Sequence, residues 1–271
     1  MQTARDLLAD AAGEAGFESF EDTPQGLKGY VQEDLFDAEK LDSALTDFPL
    51  PGVTVSYTIE KVADKDWNET WENNGFEPIA IGGRILVYDA RQQAPAVPQG
   101  MTAIGIRAIQ AFGTGTHQTT RMVIAAMMET GVQGQRVLDC GCGTGILGLA
   151  ASKLGAENVV GYDIDEWSVE NARQNAELNH VDNMEVLHGN SSVLSHVSGL
   201  FQVVVANINR NILLGDMGRL REMMLGEGTM ILSGFYEDDT EAVCLEARRL
   251  GFVLTGKKTQ DRWCCLVFTL A

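Results

Sequence analysis

Val137-Leu138-Asp139-Cys140-Gly141-Cys142-Gly143-Thr144-Gly145 is the stretch whose reading decides the fold. A short apolar run reaches it as a buried strand, and Ile146-Leu147-Gly148-Leu149-Ala150-Ala151 leaves it with helical character. Three glycines at alternate positions lie between. Strand, glycine turn and helix form the unit by which an open α/β sheet holds a nucleotide-like ligand at the carboxyl ends of its strands. The glycines let the backbone turn tightly and approach a ligand without a Cβ in the way. The helix that follows aims its amide-rich N-terminus at the group held there.

Two ligands fit such a turn. Gly143-Thr144-Gly145-Ile146-Leu147-Gly148 matches the dinucleotide pattern G-x-G-x-x-G. Asp139, two residues before the first glycine, favours a cationic amino-acid ammonium over a pyrophosphate, which a carboxylate repels. The next strand signal, Val159-Val160-Gly161-Tyr162-Asp163, ends on an acid. An acid about 20 residues past the turn can accept hydrogen bonds from both ribose hydroxyls. NAD sites use the same device, so Asp163 does not separate the two ligands. Asp165 reads as the cap of a helix starting near Glu166-Trp167.

The 271 residues suffice for an α/β domain of roughly 150–200 residues and a smaller one. Lys+Arg 20 against Asp+Glu 38 gives a net charge of −18. That argues against binding nucleic acid or anionic membrane through a broad basic surface. Residues 1–60 hold 13 acids and 3 bases, a balance of −10. This acidic segment reads either as a well-solvated surface or as a docking face for a basic partner. The cysteines are Cys140, Cys142, Cys244, Cys264 and Cys265, with no C-x-x-C pair. Neither a zinc site nor a secreted disulfide framework is expected. Cys140 and Cys142 read as small turn fillers. No signal peptide and no apolar run near 18 residues stands out, so a cytoplasmic protein with reduced thiols is expected.

Along the chain, residues 4–15 read as a helix with Leu7, Leu8, Ala11, Ala12 and Ala15 on one face. Two short strands follow at 17–21 and 28–32, then a helix at 37–45 and an alternating strand at 53–62. The order α-β-β-α-β is a ferredoxin-like unit without its first strand; the domain is either trimmed or begins upstream of Met1. Residues 1–62 are thus a small α+β domain, 63–98 a connector and 99–271 the large domain. The connector carries Trp67 and Trp71, a strand signal at Gly82–Val87, and a Pro/Gln-rich stretch, Gln92–Gly100, that reads as the hinge. Ala111-Phe112-Gly113-Thr114-Gly115-Thr116-His117-Gln118-Thr119-Thr120 leads into an apolar helix at 122–128. Thr119 or Thr120 can cap that helix, or the loop can lay amides and a threonine hydroxyl over a ligand. His117 is a candidate base or a local hydrogen-bonding group. Beyond Asp163 the alternation continues: helix 167–178, strand 184–187, strand 201–206 with Asn207 just past its end, helix 217–225, strand 229–233, helix 239–250, and a closing hairpin of 252–257 with 263–270. From Val137 that makes seven strands.

With these stretches in place, the chain resembles the ribosomal protein methyltransferases of the PrmA type, which methylate large-subunit ribosomal protein eleven. The resemblance rests on the 111–120 loop, the connector Asp66-Trp67-Asn68…Trp71…Ile81-Gly82…Arg84…Val87, the D-x-G-x-G turn at Asp139–Gly143, Gly161-Tyr162-Asp163-Ile164-Asp165 and Val205-Ala206-Asn207-Ile208. It implies a seven-stranded Rossmann-like class I methyltransferase domain with an antiparallel last strand. It implies S-adenosylmethionine held by Thr120, Gly141, Gly143, Asp163 and Asn207, with the region of Asn190 near the adenine. It further implies an N-terminal domain that binds the substrate protein, no direct nucleic-acid or membrane contact, a monomer, and products methylated on lysine side chains and the N-terminal amine. Asn207 is the candidate catalytic residue, accepting a hydrogen bond from the amine; no metal is expected. One departure is Ile106-Arg107-Ala108-Ile109-Gln110, which stands where an Asp-Pro-Gly-like segment is often found. The alternatives left open are a methyltransferase of another protein, nucleic acid or small molecule, an NAD-dependent oxidoreductase, and a non-catalytic ribosome-assembly factor.

Overall fold

The computed structural model describes residues 8, 12–13, 17, 19–23, 26–31, 36–46, 48, 50, 55–60, 75–108, 111 and 113–270. The chain forms two compact units, Met1–Asp64 and Lys65–Ala271.

In the first unit, β1 (Ser19–Thr23) and β2 (Gly26–Tyr30) make an antiparallel hairpin in which Thr23 faces Gly26. α1 (Ala38–Thr46) starts after Asp37, whose carboxylate accepts the Lys40 N–H at 3.1 Å. Ala12 and Leu41 are buried against Phe17, Phe36 and Leu45, and the two phenylalanine rings meet edge to face at 5.9 Å. Of the alternating stretch at 53–62, residues 55–60 are described and run without a sheet partner. Ile59 is 61% exposed there, so the alternation has no buried face to make it a strand. Trp67 and Trp71 lie outside the described residues.

A three-stranded sheet belongs instead to the second unit. β3 (Ile79–Ile81) pairs antiparallel with β4 (Ile85–Asp89), and β4 pairs parallel with β5 (Thr102–Ile106). Ile81, Ile85, Val87, Ile104 and Ile106 are buried in the core of this unit. The 92–100 stretch, expected as a hinge, therefore joins two paired strands of one unit. Proline and glycine mark where regular structure stops; they carry no information on whether the flanking strands pair.

The large sheet contains β6 (Arg136–Cys140), β7 (Asn158–Asp163), β8 (Met184–His188), β9 (Phe201–Asn207), β10 (Met224–Tyr236), β11 (Phe252–Gln260) and β12 (Trp263–Leu270), in the order β11-β12-β10-β9-β6-β7-β8. β6 through β10 are parallel, and β12 is antiparallel to both its neighbours. The seven strands and the closing hairpin agree with the sequence pattern. One face is covered by α2 (Gln118–Thr130) and α3 (Ile146–Lys153), packed on Val137, Val159, Val203, Val205 and Ile231. α5 (Arg210–Glu222) and α6 (Thr240–Arg249) cover Leu138, Val160, Val204 and Leu232 on the other. Alternate residues of one strand thus serve opposite cores. α5 begins seven positions before the expected 217, because Asn209 caps it by accepting the Asn211 N–H at 2.9 Å. Strand order reverses between β6 and β9, which opens a crevice at their carboxyl ends.

The outer side of β5 faces α4 (Glu166–Leu178) rather than a strand. Asn179 accepts the Gly105 N–H at 2.8 Å and donates to its carbonyl at 2.7 Å. Asn175 accepts the Arg107 N–H at 2.9 Å, and Asn171 donates to the Arg107 carbonyl at 2.9 Å. The spacings match: four helical residues rise about 6 Å, and two strand residues about 6.7 Å.

Candidate active site

The glycine turn stands in the crevice. Gly141, Gly143 and Gly145 have φ of 65°, 53° and 81°, a left-handed backbone that residues with a Cβ rarely adopt. A Cβ on Gly141 would also collide with Ile208. The Gly143 N–H donates to Asp163 Oδ2 at 2.9 Å, and the Asp165 N–H to Asp163 Oδ1 at 3.1 Å. Each carboxylate oxygen keeps a free acceptor direction. Asp165 caps α4, accepting the Ser168 N–H at 2.8 Å, as its position suggested. Ile164 and Trp167, on either side of that cap, are 66% and 64% exposed.

Asp139 behaves differently from the expectation. It is completely buried, with Oδ2 accepting the Gly148 N–H of α3 at 2.9 Å and Oδ1 lacking a partner. Burial, reinforced by the nearby charge of Asp163, pushes its carboxyl up to about 7. It presents no surface charge, so the argument that it repels a pyrophosphate falls. Its role here is to hold α3 to β6. Cys140 and Cys142 are buried, and burial pushes both thiols up. They remain protonated turn fillers.

The 113–120 loop closes over the turn. The Thr144 hydroxyl donates to the Gly113 carbonyl at 2.6 Å, and a Cβ on Gly113 would sit 2.8 Å from that hydroxyl. The cap of α2 is His117 rather than Thr119 or Thr120: Nδ1 accepts the Thr119 N–H at 3.3 Å and lies 2.7 Å from its hydroxyl. Desolvation, with Arg121 adding to it, lowers the His117 pKa, so the ring is neutral and locally engaged. Thr120 is buried in the first turn of α2. Phe112, Ile109 and Gln110 lie outside the described residues.

Asn207 ends β9 opposite Ser233 of β10, and its buried Oδ1 has no hydrogen-bond partner. Such an orphan acceptor calls for a donor that the chain does not supply. Gly234 follows, with φ of 94°, and a Cβ there would collide with the backbone of Ile208. Beyond it opens a cavity of about 300 Å³ lined by Asn209, Gly234, Tyr236, Asp239 and Trp263 among others. A larger cavity, about 720 Å³, lies at the amino ends of β6 and β7, where Arg136 and Asn158 line it, away from the turn. Asn190 is exposed beyond β8 and caps the short 3-10 turn Ser191–His196, accepting the Ser192 N–H at 3.0 Å.

The structure thus joins Gly141, Gly143 and Asp163 into one unit and sets Asn207 on the neighbouring strand end. Sequence reasoning missed the asparagine row, whose signal was asparagine at every fourth helical position, and the aromatic pair Tyr236 and Trp263. A glycine cradle, a two-oxygen acceptor and an orphan carbonyl oxygen suit a polyhydroxylated ligand that brings its own N–H donors, and S-adenosylmethionine fits that description.

A family model described as "Ribosomal protein L11 methyltransferase (PrmA)" matches residues 9–271. The ribosomal protein L11 methyltransferase of Bacteroides thetaiotaomicron is 41% identical over 268 residues, 99% of this chain and 95% of its own length. That of Bacteroides fragilis is 42% identical over 269 residues, again 99% and 95%. Among solved structures, the ribosomal protein L11 methylase of Lactobacillus delbrueckii subsp. bulgaricus superposes with a TM-score of 0.66 at 28% identity, covering 71% of this chain and 98% of that one. With a match over nearly its whole length, this chain belongs to the ribosomal protein L11 methyltransferase family.

Proposed function

We propose that this protein transfers methyl groups from S-adenosylmethionine to lysine side-chain amines and the N-terminal amine of large-subunit ribosomal protein eleven. The observation that carries the reading is the Gly141–Gly143 turn tied to Asp163, with the orphan oxygen of Asn207 one strand away, in a chain of that family. Bound S-adenosylmethionine supplies a methyl on a sulfonium, activated for transfer to a neutral amine. The chain's own work is binding and alignment. Asp163 takes the ribose hydroxyls with the acceptor directions its two amide bonds leave free. Gly141 and Gly143 let the backbone lie close to the ligand, and the 113–120 loop with Thr120 forms the facing wall. Asn207 Oδ1 accepts an N–H of the incoming amine and so points the nitrogen lone pair. Asn207 takes no proton. Free lysine has a pKa of about 10.4, and desolvation beside a cation lowers it, so the proton leaves before the amine is seated.

The acidic N-terminal segment, with 13 acids and 3 bases in residues 1–60, supports a recognition role toward a basic substrate protein, with the methyltransferase domain taking in the β3–β5 sheet as well as the stretch from 99 to 271. The net charge of −18 supports action without direct nucleic-acid binding. On this reading the protein acts as a monomer in the cytoplasm; separately, among the described residues no helix is long and apolar enough to cross a membrane. The test is intact-mass spectrometry of unmethylated ribosomal protein eleven after incubation with the protein and S-adenosylmethionine. Gains in steps of one methyl are expected. No gain from a protein that binds S-adenosylhomocysteine would sink the reading.

A further inference from the structure

We infer that Tyr236 and Trp263 form an aromatic subsite that receives the amine-bearing side chain of the acceptor protein and holds its cationic, methylated forms beside Asn207. The inference rests on the methyl-transfer reading above and names the wall that the amine meets.

Tyr236 and Trp263 are cross-strand partners at the open ends of β10 and β12, with ring centroids 4.2 Å apart and planes 32° apart. Both line the 300 Å³ cavity with Asn209 and Gly234. The bulge at Gly234, between Ser233 and Phe235, separates this pair from Ser233, the residue facing Asn207. His117 fixes Trp263 from another side, edge to face at 4.7 Å and 77°. Trp263 is the first residue after a two-residue turn, Asp261-Arg262, in which both residues are left-handed, with φ of 49° and 68°. Residues other than glycine adopt that conformation at a cost. The turn is held from two sides: Gln118 donates to Asp261 at 3.0 Å, and the Glu237 N–H donates to the Arg262 carbonyl at 2.7 Å.

The surface already accepts a cation. The Arg262 guanidinium lies 5.8 Å from the Tyr236 ring centroid, on a side chain that is 77% exposed and paired with Asp238. Glu237, Asp238 and Asp239 follow Tyr236 directly, and Asp239 lines the cavity while paired with Arg210. All three acids are ion-paired, Glu237 with Lys257, Asp238 with Arg262 and Asp239 with Arg210, so what a substrate ammonium meets here is the aromatic face rather than a net negative charge.

The chemistry explains why an aromatic wall is needed beside Asn207. Each methyl added to an amine removes one N–H, so a lone carbonyl acceptor holds the nitrogen less well after every turnover. A ring face attracts the cation whatever its number of N–H groups, because the attraction is to charge. The pair therefore acts most on acceptors that already carry a methyl.

Trp263→Leu and Tyr236→Leu test this in the full-length protein, with Trp263→Phe as the conservative control. Folding is checked by thermal unfolding, and Tyr236, being 47% exposed, tolerates truncation even if Trp263 does not. The readouts are the KM for unmethylated ribosomal protein eleven, its mass distribution, and S-adenosylhomocysteine affinity by calorimetry. Each leucine variant is expected to raise the acceptor KM by about tenfold, on the scale of one cation–π contact, and to shift the products toward fewer methyls. S-adenosylhomocysteine affinity should stay within about twofold, which a general packing defect would not spare, and Trp263→Phe, which keeps a smaller ring face, should fall between wild type and Trp263→Leu in acceptor KM. An acceptor KM unchanged in a folded leucine variant, or a loss confined to S-adenosylhomocysteine affinity, overturns the subsite. A wild-type protein that transfers no methyl to this acceptor overturns the activity reading itself, and the two failures are thereby distinct.

Discussion

Replacing Asn175 with alanine removes the middle of the asparagine row. Asn175 is completely buried. Its Oδ1 accepts the Arg107 N–H at 2.9 Å, and its Nδ2 donates to the Thr144 carbonyl at 3.0 Å and the Arg107 carbonyl at 3.3 Å. The Arg107 carbonyl keeps Asn171, so the truncation strands two backbone groups, the Arg107 N–H and the Thr144 carbonyl. Each stranded group costs about 1–3 kcal/mol, and alanine returns about 0.5 kcal/mol of helix propensity. The net loss is about 2–5 kcal/mol, a large share of the total for a domain. Urea unfolding followed by circular dichroism measures it, with Gln174→Ala as the control on the exposed face of α4. Gln174 gives up only an exposed bond to Glu170, worth less than about 0.5 kcal/mol. S-adenosylhomocysteine binding should weaken in Asn175→Ala as well, because Thr144 carries both the glycine turn and the hydroxyl that holds Gly113. A loss below about 1 kcal/mol with an unchanged m-value would refute the reasoning and make the row mere packing.

Three further outcomes are expected. Gly141→Ala forces a Cβ into Ile208 at a φ of 65° and should lower stability by about 1–3 kcal/mol and abolish measurable S-adenosylhomocysteine binding by calorimetry; wild-type affinity would show that the turn is not against the ligand. Asp163→Ala removes two charge-assisted acceptors, each worth about 1.5–3 kcal/mol, and should weaken the same binding by at least about a hundredfold; an affinity within threefold of wild type would end its ribose role. Asp139→Asn tests the buried carboxyl through pH. Its folded pKa of about 7 lies above the 3.8 of an ordinary aspartate, so the unfolded chain ionises first and wild-type stability falls as pH rises from about 4 to about 7. The difference between variant and wild type should therefore move in the variant's favour by about 4 kcal/mol over that window, and a flat difference would mean that Asp139 does not titrate there.

The parts of this fold legible in the sequence are those set by near neighbours. The glycine turn, the acids ending β7 and capping α4, the apolar runs of β6 and β9 and the closing hairpin each depend on residues within a few positions. What escaped was set at long range. Whether β4 and β5 pair depends on contacts across the 90–101 loop, and the loop's own prolines are silent on that. The Asn175 bond to Arg107, just past β5, and the Asn179 bond to Gly105 span 68 and 74 positions, and asparagine in a helix reads locally as a weak helix former. Asp139 was recognisable as part of the motif, yet its burial follows from how α3 seats on β6. The Tyr236–Trp263 contact required the register of β10 with β12, and that register passes through a bulge at Gly234.

The row of asparagines also guards the sheet against other molecules. An uncovered edge strand is a template on which a second chain can add its own strand. β5 reads Thr-Ala-Ile-Gly-Ile, with no charge, no proline and no bulge to discourage this. The side-chain amides of α4 occupy the Gly105 and Arg107 pairing groups, so the edge is closed for as long as the helix stays docked. Weakening that docking would surface first as self-association of otherwise well-formed protein, before any loss of the seven-stranded core.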